Sequence, residues 1–321
     1  MRALVTGAAG FVGQWLCRQL LRDGWQVAGV TVGTLPKDAL LDQSEMAAIH
    51  WRAIDLAVGA PERRSVRALL EAQPPDAVFH LAGVAYQPAV SADQSAAFAI
   101  NVGGLVTLLD GLREPRAAGV IDPTVLVIGS GEQYGRHDAN SLPLPETAEC
   151  RPATFYGATK LAQESVALAA QRSEGLRIVA TRSFNHSGRG QSAPFLLPSL
   201  VARALTARAG GPPVTIGNTD VIRDFLHVED VVSAYISLVS RGTPGEVYNV
   251  CSGEGVAVAD LAADVLAATG VRTPLSVDPA LQRAVDVPAL VGDPAKLRRD
   301  TGWTPRRSRT DIISDLIDAA S

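Results

Sequence analysis

Two side chains of this sequence, Tyr156 and Lys160, could together exchange a proton with a bound molecule. They lie four residues apart in a segment with a helical pattern, so both project from one face of the predicted helix. A nearby ammonium favours the phenolate and lowers the pKa of a tyrosine towards neutral pH, where it can act as a general acid or base. A Tyr–Lys pair at this spacing is common by chance and is more often a surface feature. Its interpretation therefore depends on its surroundings.

Ser130 is the first residue outside this helix that supports a catalytic interpretation of the pair. It lies just beyond the predicted strand Val125–Ile128, at the carboxyl edge where open α/β sheets bind ligands. Tyr156 follows 26 residues later, and the intervening loop can bring the two together. A serine hydroxyl can hydrogen-bond a substrate oxygen and stabilise the charge that develops on it. The sequence therefore predicts that Ser130, Tyr156 and Lys160 form one catalytic group.

The elements that must position this group alternate between short apolar strands and helices. The predicted strands are Arg2–Thr6, Gln26–Thr31, Ile49–Ala53, Ala77–Leu81, Val125–Ile128 and Arg177–Thr181. The predicted helices are Phe11–Arg22, Pro61–Ala72, Ser91–Leu112, Ala153–Arg172 and, near the C-terminus, Thr310–Ala320. Buried apolar strands that alternate with helices are typical of right-handed βαβ units. We therefore predict an α/β fold with a doubly wound parallel sheet.

A glycine-rich turn joins the first predicted strand to the first predicted helix. Residues 6–13 read TGAAGFVG, a G-x-x-G-x-x-G variant of the dinucleotide fingerprint. Glycines let the backbone approach a pyrophosphate closely, and the next helix offers free N–H groups and its positive dipole end. We expect Gly7, Gly10, Phe11, Val12 and Gly13 to bind a nicotinamide dinucleotide in a Rossmann-type domain. That domain is predicted to comprise residues 1–183, with part of 219–245 returning to it, and residues 184–321 to form a smaller mixed α/β substrate domain.

The end of the second predicted strand bears on which dinucleotide is bound. Residues 30–34 contain no Asp or Glu, which would otherwise bond the ribose 2′-hydroxyl of NAD. Without that acid a 2′-phosphate is not repelled, so the sequence favours NADP(H) over NAD(H), although only Lys37 is near as a cation. After the third predicted strand, Asp55, with Leu56 beside it, could accept a hydrogen bond from the adenine amino group. A capping or loop aspartate is the alternative.

Several motifs together resemble the extended short-chain dehydrogenase/reductase family. They are TGAAGFVG, HLAG (His80–Gly83), Asn101, SGEQYG (Ser130–Gly135) and YGATK (Tyr156–Lys160). Three later segments resemble its nucleotide-sugar branch: TRSFNHSGRGQS (Thr181–Ser192), RDFLHVEDV (Arg223–Val231) and YNVCSG (Tyr248–Gly253). LQRAVDVP (Leu281–Pro288) and TGWTP (Thr301–Pro305) are most similar to GDP-4-keto-6-deoxymannose reductases.

The resemblance implies an NAD(P)-dependent oxidoreductase in which Tyr156 transfers the proton. It further implies that Lys160 holds the nicotinamide ribose, and the positive nicotinamide of the oxidised cofactor would then also favour the phenolate of Tyr156. Asn101 is expected to support Lys160, directly or through water. A buried helix asparagine without such a role is the alternative for Asn101. The HLAG motif is expected to contact the bound cofactor through Leu81, Ala82 and Gly83.

The same catalytic group serves reductases, 4,6-dehydratases and 4-epimerases of nucleotide sugars in this family. In related dehydratases an acid at the place of Glu132 abstracts the C5 proton, but related reductases also carry Glu there. Gly131 stands where some dehydratases have Asp, which argues against a dehydratase. A 4-epimerase would hold NAD tightly, and the absence of an acid at the end of the second strand argues against that function. We expect reduction of a nucleotide-linked 4-keto-6-deoxy sugar, with a dehydratase, an epimerase or a non-catalytic dinucleotide sensor as alternatives.

Four residues of the second half are candidates for binding the nucleotide diphosphate sugar. They are Asn185, Arg189, Arg223 and Arg283. The planar fork of arginine suits phosphate geometry, which makes Arg223 and Arg283 the leading phosphate partners. Surface arginines in ordinary ion pairs are the alternative. Arg189 replaces a proline common in the family's loop, and this departure bears on the identity of the substrate.

The composition argues against several other functions. The 29 basic and 33 acidic residues give a net charge of −4, which provides no general attraction for nucleic acid or an anionic membrane. The cysteines, Cys17, Cys150 and Cys251, have no metal-like spacing, so neither a disulfide framework nor a metal site is expected. His186 and His227 have no cluster of further ligands and are expected to serve packing or loop hydrogen bonds.

Location and assembly are further expectations. The sequence shows no signal peptide and no apolar stretch of about 18 residues, which predicts a cytoplasmic protein without a membrane span. In many relatives the helices that correspond to Ser91–Leu112 and Ala153–Arg172 pack across a two-fold axis as a four-helix bundle. Both segments are rich in Ala and Leu, which permits close packing, so a homodimer is expected.

Overall fold

The computed structural model describes residues 1–33, 40–193, 195–272, 275–278, 281 and 287–320 of the 321-residue chain. Its strands are β1 (Arg2–Thr6), β2 (Gln26–Thr31), β3 (Ile49–Ala53), β4 (Ala77–His80), β5 (Thr124–Ser130), β6 (Ile178–Ser183), β7 (Asn185–Ser187), β8 (Thr215–Ile216), β9 (Ile222–His227), β10 (Val247–Val250), β11 (Gly255–Ala257), β12 (Ser276–Val277) and β13 (Ala289–Leu290). Its helices are α1 (Phe11–Arg22), α2 (Gln43–Ala48), α3 (Ala60–Ala72), α4 (Gln87–Ala92), α5 (Gln94–Phe98), α6 (Gly104–Ala117), α7 (Phe155–Glu174), α8 (Leu196–Arg208), α9 (Val228–Arg241), α10 (Val258–Thr269), α11 (Ala295–Thr301) and α12 (Arg309–Ala320).

A parallel sheet of seven strands forms the centre of the molecule. Its strand order is β10-β6-β5-β4-β1-β2-β3, and every neighbouring pair is parallel. The chain order reverses beside β1, which opens a crevice at the carboxyl ends of β1 and β4. At this edge the register pairs Thr6 with His80 and Ser130 with Ser183. The predicted doubly wound parallel sheet is confirmed.

Two helical layers cover this sheet. Leu16 of α1 and Val231 of α9 are buried on one face. Leu70 of α3, Leu105 of α6 and Ala167 of α7 are buried on the other. Because both faces are covered, the central strands are mainly apolar, and polar residues are concentrated towards their carboxyl ends.

Two elements from the second half of the chain complete this layered unit. Helix α9 packs on α1, and β10 pairs with β6 at the edge of the sheet. α9 lies inside the segment 219–245 that the sequence assigns to the first domain, whereas β10 follows that segment. The placing of a domain boundary at residue 183 stays a prediction.

The other second-half elements form a smaller mixed unit. β9 pairs in parallel with β7 and β13 and antiparallel with β11. Helices α8, α10 and α12 pack around a core that includes Val201, Leu261 and Ile313. This unit carries Asn185 on β7 and Arg223 on β9 to the crevice.

The predicted helix Ser91–Leu112 is wrong at both ends. α4 ends at Ala92, and Asp93 then caps α5 by accepting a hydrogen bond from the Ala96 amide at 2.9 Å. The helical run passes through a π-turn at Ala99–Gly103 into α6 and ends at Ala117. The Asp93 cap starts a new helix after Ser91 and Ala92. At the other end, the helix continues past Leu112 through exposed polar residues.

The same helical run corrects the expectation that no apolar stretch is long enough to cross a membrane. Residues Gln94–Ala117 form 24 helical residues with a mean hydropathy of 1.5 in their most apolar 18-residue stretch. Length and composition would thus suffice for a membrane span. Of that stretch, 56% is buried inside the protein, because the helix packs between α3 and α7. A buried core helix of a folded domain can have the same length and mean hydropathy.

Candidate active site

A cavity of about 600 Å³ opens at the carboxyl edge of the main sheet. Its wall contains many of the residues that the sequence singles out: Gly7, Gly10, Phe11, Val12, Gly13, Leu81, Gly83, Ser130, Glu132, Tyr156, Lys160, Asn185 and Arg223. A cavity of this size suits a small molecule or cofactor. The structure therefore brings the glycine turn, the predicted catalytic group and two of the substrate candidates together.

Two glycines of the glycine-rich segment lie too close to neighbouring backbone atoms to carry a side chain. A Cβ on Gly7 would lie 2.8 Å from the Ala82 amide nitrogen, and Gly7 has a φ of +70°, which favours glycine. A Cβ on Gly13 would lie 2.1 Å from the Gly7 carbonyl oxygen. Helix α1 begins at Phe11, directly after this turn, so its first N–H groups face the cavity without partners in the helix. This cradle fits the pyrophosphate of a dinucleotide.

Ser130 is held in place by a buried hydrogen-bond network. Its backbone N–H donates to Gln133 Oε1 at 2.8 Å, and its Oγ accepts from the Glu132 amide at 3.2 Å. Gln133 Nε2 donates to Glu164 at 2.7 Å, and Glu164 forms a buried ion pair with Arg182 at 2.7 Å. The turn after β5 is thereby tied to α7 and β6.

Helix α7 places Tyr156 and Lys160 against this turn. The Thr154 hydroxyl caps the helix by accepting a hydrogen bond from the Gly157 amide at 3.1 Å. A Cβ on Gly157 would lie 2.6 Å from the Glu132 carbonyl oxygen, so only glycine permits this close approach. The first turn of α7 therefore lies beside Ser130 and Glu132.

The pKa of Tyr156 is raised above its usual value. Burial is the largest cause, and the negative charge of Glu132 adds to it, while the hydroxyl of Ser130 opposes both. The lowering expected from the Lys160 ammonium together with the positive nicotinamide of the oxidised cofactor stays a prediction. The neutral phenol, which can donate a proton, is the favoured form at neutral pH.

Lys160 lies deep in the cavity wall, with 6% of its surface exposed. Its Nζ donates to the Ile128 carbonyl oxygen at 2.7 Å and to Gln163 Oε1 at 2.8 Å. Burial lowers the pKa of Lys160 to about 8. The side chain is therefore mainly a charged ammonium at pH 7.

Asn101 lies in the π-turn and is fully buried. Its Oδ1 accepts from the Val84 amide at 2.8 Å, and its Nδ2 donates to Thr159 Oγ1 at 3.0 Å. Nδ2 also donates to the Val84 carbonyl oxygen at 3.2 Å, so within the described residues Asn101 fixes Thr159, which precedes Lys160 on α7. Support of Lys160 through a bridging water stays a prediction.

Glu132 is held at the cavity wall by two donors. Its Oε2 accepts a hydrogen bond from the Thr154 hydroxyl at 3.1 Å and another from the Gln87 side-chain amide. Gln87 and Thr154 also line the cavity. The carboxylate is thereby fixed close enough to Tyr156 for its charge to raise the pKa of the phenol.

The residues expected near the adenine have local roles. Asp55 Oδ1 accepts from the Ala57 amide at 3.0 Å and caps a 3-10 turn at Leu56–Val58. Leu56 is buried in the core. Asp55, Leu56 and Ala82 are not among the described residues of the cavity wall, although the Ala82 backbone packs against Gly7.

Two of the arginine candidates are not placed in the cavity wall. Arg189 is exposed; its backbone N–H donates to Asp315 at 2.7 Å and its carbonyl accepts from Trp15 at 2.9 Å. Arg189 is not among the described residues of the cavity wall, and the substrate role expected of its side chain stays a prediction. Arg283 lies outside the described residues, as does Lys37.

Several residues of the cavity wall were missed from the sequence. The buried Tyr235 hydroxyl lies 2.8 Å from Ser183 Oγ, and both residues line the cavity. The rings of Tyr86 and Phe195, also in the wall, meet edge to face with centroids 5.8 Å apart. These residues are brought in by tertiary packing from separate elements, so no local spacing marks them.

The two histidines have structural contacts, as the sequence indicates. His186 lines the cavity, stacks on Phe11 with centroids 6.3 Å apart and bonds to the Phe184 carbonyl oxygen at 2.9 Å. Burial lowers the pKa of His186. His227 Nδ1 accepts from the Glu229 amide at 3.1 Å and so caps α9. In the part of the chain that the structure describes, we find no group of three or more potential metal ligands.

Comparisons with known proteins agree with this geometry. The model of the NAD dependent epimerase/dehydratase family matches residues 3–251. GDP-6-deoxy-D-mannose reductase of Pseudomonas aeruginosa is 36% identical over 247 residues, which cover 75% of this chain and 80% of the relative. The structure of RMD from Pseudomonas aeruginosa complexed with NADPH has a TM-score of 0.83 and 32% identity, covering 99% of this chain and 98% of that one. UDP-glucose 4-epimerase of Thermus thermophilus, solved with NAD, has a TM-score of 0.84 and 27% identity, with coverage of 99% and 98%.

Proposed function

The chain belongs to the NAD dependent epimerase/dehydratase family, and from this premise we propose that it reduces a nucleotide-linked 4-keto-6-deoxy sugar. The observation that carries the proposal is geometric: Tyr156 lies in the cavity wall beside Ser130, and the ammonium of Lys160 lies one helical turn further along α7. A reductase needs a proton donor when the carbonyl oxygen takes on negative charge, and the phenol of Tyr156 is placed to serve as that donor. The 36% identity with GDP-6-deoxy-D-mannose reductase supports GDP-4-keto-6-deoxymannose as the first substrate to test.

Ser130 and Tyr156 would bind the carbonyl oxygen of the substrate. Because Ser130 Oγ accepts from the Glu132 amide, its own hydrogen can be donated to Tyr156 or to a ligand. When bound, the reduced nicotinamide supplies a hydride to the carbonyl carbon. Tyr156 then gives its phenolic proton to the oxygen, and the charge of Lys160 stabilises the phenolate that remains.

The substrate's diphosphate would lie where Arg223 and Asn185 line the cavity. A guanidinium can donate two parallel hydrogen bonds to a phosphate, and the Asn185 amide can bond a sugar or phosphate oxygen. Their position on β9 and β7 places them opposite the glycine turn of the main sheet. This arrangement supports a nucleotide diphosphate sugar as the substrate class.

We further propose that NADP(H) is preferred over NAD(H). Thr31, Val32 and Gly33 at the end of β2 present no carboxylate that would repel a 2′-phosphate. The related reductase from Pseudomonas aeruginosa was solved with NADPH, which supports the same choice. The dissociation constant for NADPH should be lower than that for NADH, and equal or reversed affinities would assign NAD.

The experiment that tests the function is NADPH oxidation by the purified protein with GDP-4-keto-6-deoxymannose. Tyr156→Phe should lower kcat by about 10³-fold, since general-acid catalysis contributes about 10²–10⁴-fold, and should keep NADPH binding. Tyr248→Phe removes a buried hydroxyl outside the cavity wall and serves as the matched control. Water loss from GDP-mannose would assign a dehydratase, C4 inversion without net NADPH oxidation an epimerase, and binding without turnover a sensor.

We also propose that the protein is a homodimer in which α6 and α7 face a second copy. A groove of about 230 Å³ lies between these helices and is lined by Val106, Leu109, Val166 and Ala169. Val106 is 40% exposed, and Phe98, at the end of the preceding α5, is 48% exposed. An exposed apolar surface of this kind is typical of a protein interface.

A further inference from the structure

Lys160 has a neighbour whose chemistry the proposed reaction does not use. Gln163 lies three residues further along α7, on the same face of the helix, and is 0% exposed. Its Oε1 accepts a hydrogen bond from Lys160 Nζ at 2.8 Å. The Ile128 carbonyl oxygen is the other acceptor, at 2.7 Å.

The orientation of the Gln163 amide is set by this contact. An ammonium carries only donors, so the amide oxygen and not the nitrogen has to face it. The Nε2 atom then points elsewhere and, although buried, finds no hydrogen-bond partner among the described residues. An unpaired buried amide destabilises a fold, whereas an apolar side chain of this size would fill the space without that cost. The benefit that Gln163 brings is therefore its oxygen.

Two acceptors fix the ammonium and leave one donor. A lysine ammonium has three N–H groups, of which Ile128 and Gln163 take two. On the cavity side lies Gly83, and a Cβ there would be in ordinary contact with Nζ at 3.5 Å, so a side chain at this position would occupy the space beside the ammonium. The third N–H is therefore left for a ligand in the cavity or for Tyr156.

Both acceptors are also uncharged. A backbone carbonyl and a side-chain amide hold the ammonium without cancelling its charge, whereas a carboxylate in the same place would neutralise it. Within the described residues, the hydrogen bonds of Nζ go to these two oxygens and not to a carboxylate. The positive charge is thus available to act on Tyr156, one helical turn earlier.

We propose that Gln163 is a positioning residue that holds Lys160 as a charged ammonium with one free donor for the nicotinamide ribose and Tyr156. The inference rests on the proposed function only in taking those two groups as the partners of Lys160. Without the amide oxygen, the buried ammonium would release its proton more readily. With a carboxylate in its place, the ammonium would keep its proton but its effect on Tyr156 would be offset.

Three variants separate these effects. Gln163→Met keeps the volume and removes the acceptor, while Gln163→Glu keeps an acceptor and adds a negative charge. Gln171→Glu makes the same charge change on the same helix, about 12 Å further along its axis, and is the matched control. For each protein we would measure the pH dependence of NADPH affinity, the pH profile of NADPH oxidation and the melting temperature.

The two variants at position 163 should shift both pH profiles in opposite directions. In Gln163→Met the alkaline loss of NADPH affinity and of turnover should move to lower pH by about one unit, because the ammonium is less stabilised. In Gln163→Glu both should move to higher pH by about one unit, because the carboxylate raises the pKa of Lys160 and of Tyr156. Gln171→Glu should match the wild type.

A role in packing alone would leave both pH profiles where the wild type has them, whatever the melting temperature does, and this result would overturn the inference. If Gln163→Glu does not fold, Gln163→Met against the control decides. Failure of the proposed function has a different signature: the wild type would not oxidise NADPH with the keto sugar. The NADPH-binding profiles need no sugar and would still test Gln163.

Discussion

At the residue scale, the charge of Glu132 adds to burial in raising the pKa of Tyr156. Glu132→Gln removes this charge and should lower that pKa by about one unit, which ultraviolet titration of the tyrosinate measures, with Tyr156→Phe as the blank. Glu149→Gln, which changes an exposed carboxylate, should leave the titration of Tyr156 in place. An unmoved titration in Glu132→Gln would contradict this electrostatic link. Complete loss of turnover with NADPH still bound would instead point to Glu132 as a catalytic base.

His80, at the carboxyl end of β4, should make the fold sensitive to acid. It is fully buried, and burial, with the nearby Lys160 charge, lowers its pKa to about 3. The unfolded chain takes up a proton on this histidine near its usual pKa of about 6.5, so between these values the unfolded state binds more protons. The free energy of unfolding should therefore fall as the pH drops through this window, by up to about 1.4 kcal/mol per pH unit.

Urea unfolding between pH 7 and pH 4 measures this effect. His80→Asn, which can keep a hydrogen bond to the Thr6 hydroxyl, should lose stability less steeply than the wild type over the same range. Other titrating groups contribute equally to both proteins and cancel in the difference. Identical slopes would show that His80 does not cause the acid sensitivity.

Local spacing in the sequence predicts the parts of the site that lie on one element. The Tyr156–Lys160 pair and the glycine turn depend on distances of a few residues along one helix or turn. Tyr235, by contrast, arrives from α9, and Gln87 from the start of α4, so no spacing connects them with Tyr156. The raised pKa of Tyr156 also depends on burial, which only the packed structure defines.

At the scale of elements, a buried ion pair joins α7 to β6 beneath the site. Glu164 and Arg182 are only 6% and 7% exposed, and Glu164 also accepts from Gln133 in the turn after Ser130. Arg182→Met leaves an unpaired carboxylate in the interior and should lower the free energy of unfolding by about 3–5 kcal/mol. Chemical denaturation measures the change. Arg151→Met breaks an exposed ion pair with Glu149 and should change the free energy of unfolding little. An equally small change for Arg182→Met would contradict the stabilising role of the buried pair.

Element bounds follow from the sequence where apolar runs are long and end at clear signals. β1, β2 and α1 have the predicted bounds, because glycines mark the turns beside them, and β3 also has the predicted bounds although it contains His50 and Arg52. The strands of the smaller unit, such as β8 and β13, have two residues each, too few for a period to show. Their pairing is decided by tertiary packing, which explains why the second half could be predicted only as mixed.

At the scale of the whole molecule, the cavity is made by two units that the chain builds in turn. The main sheet supplies the glycine turn, Ser130 and α7, and the smaller unit supplies Asn185 and Arg223. Arg223→Met should therefore raise the KM for the sugar nucleotide and leave the dissociation constant of NADPH unchanged, since the arginine lies on the smaller unit and not on the main sheet. Steady-state kinetics and cofactor titration check the two values. A loss of NADPH affinity equal to the rise in KM would contradict this division of roles.

The proposed dimer can be tested on the exposed apolar face of α6 and α7. Val106 is 40% exposed beside the groove, so Val106→Glu should leave the fold of one copy intact but place a charge where the second copy would pack. Light scattering at micromolar concentration should give twice the chain mass of 33.6 kDa for the wild type and 33.6 kDa for the variant. Val277→Glu makes the same change at a valine that is 53% exposed on β12, outside this face, and should stay dimeric. A monomeric wild type would contradict the proposed dimer. A dimeric Val106→Glu would contradict the proposed interface, because burying an unpaired carboxylate in its apolar centre costs more free energy than a small interface can offset.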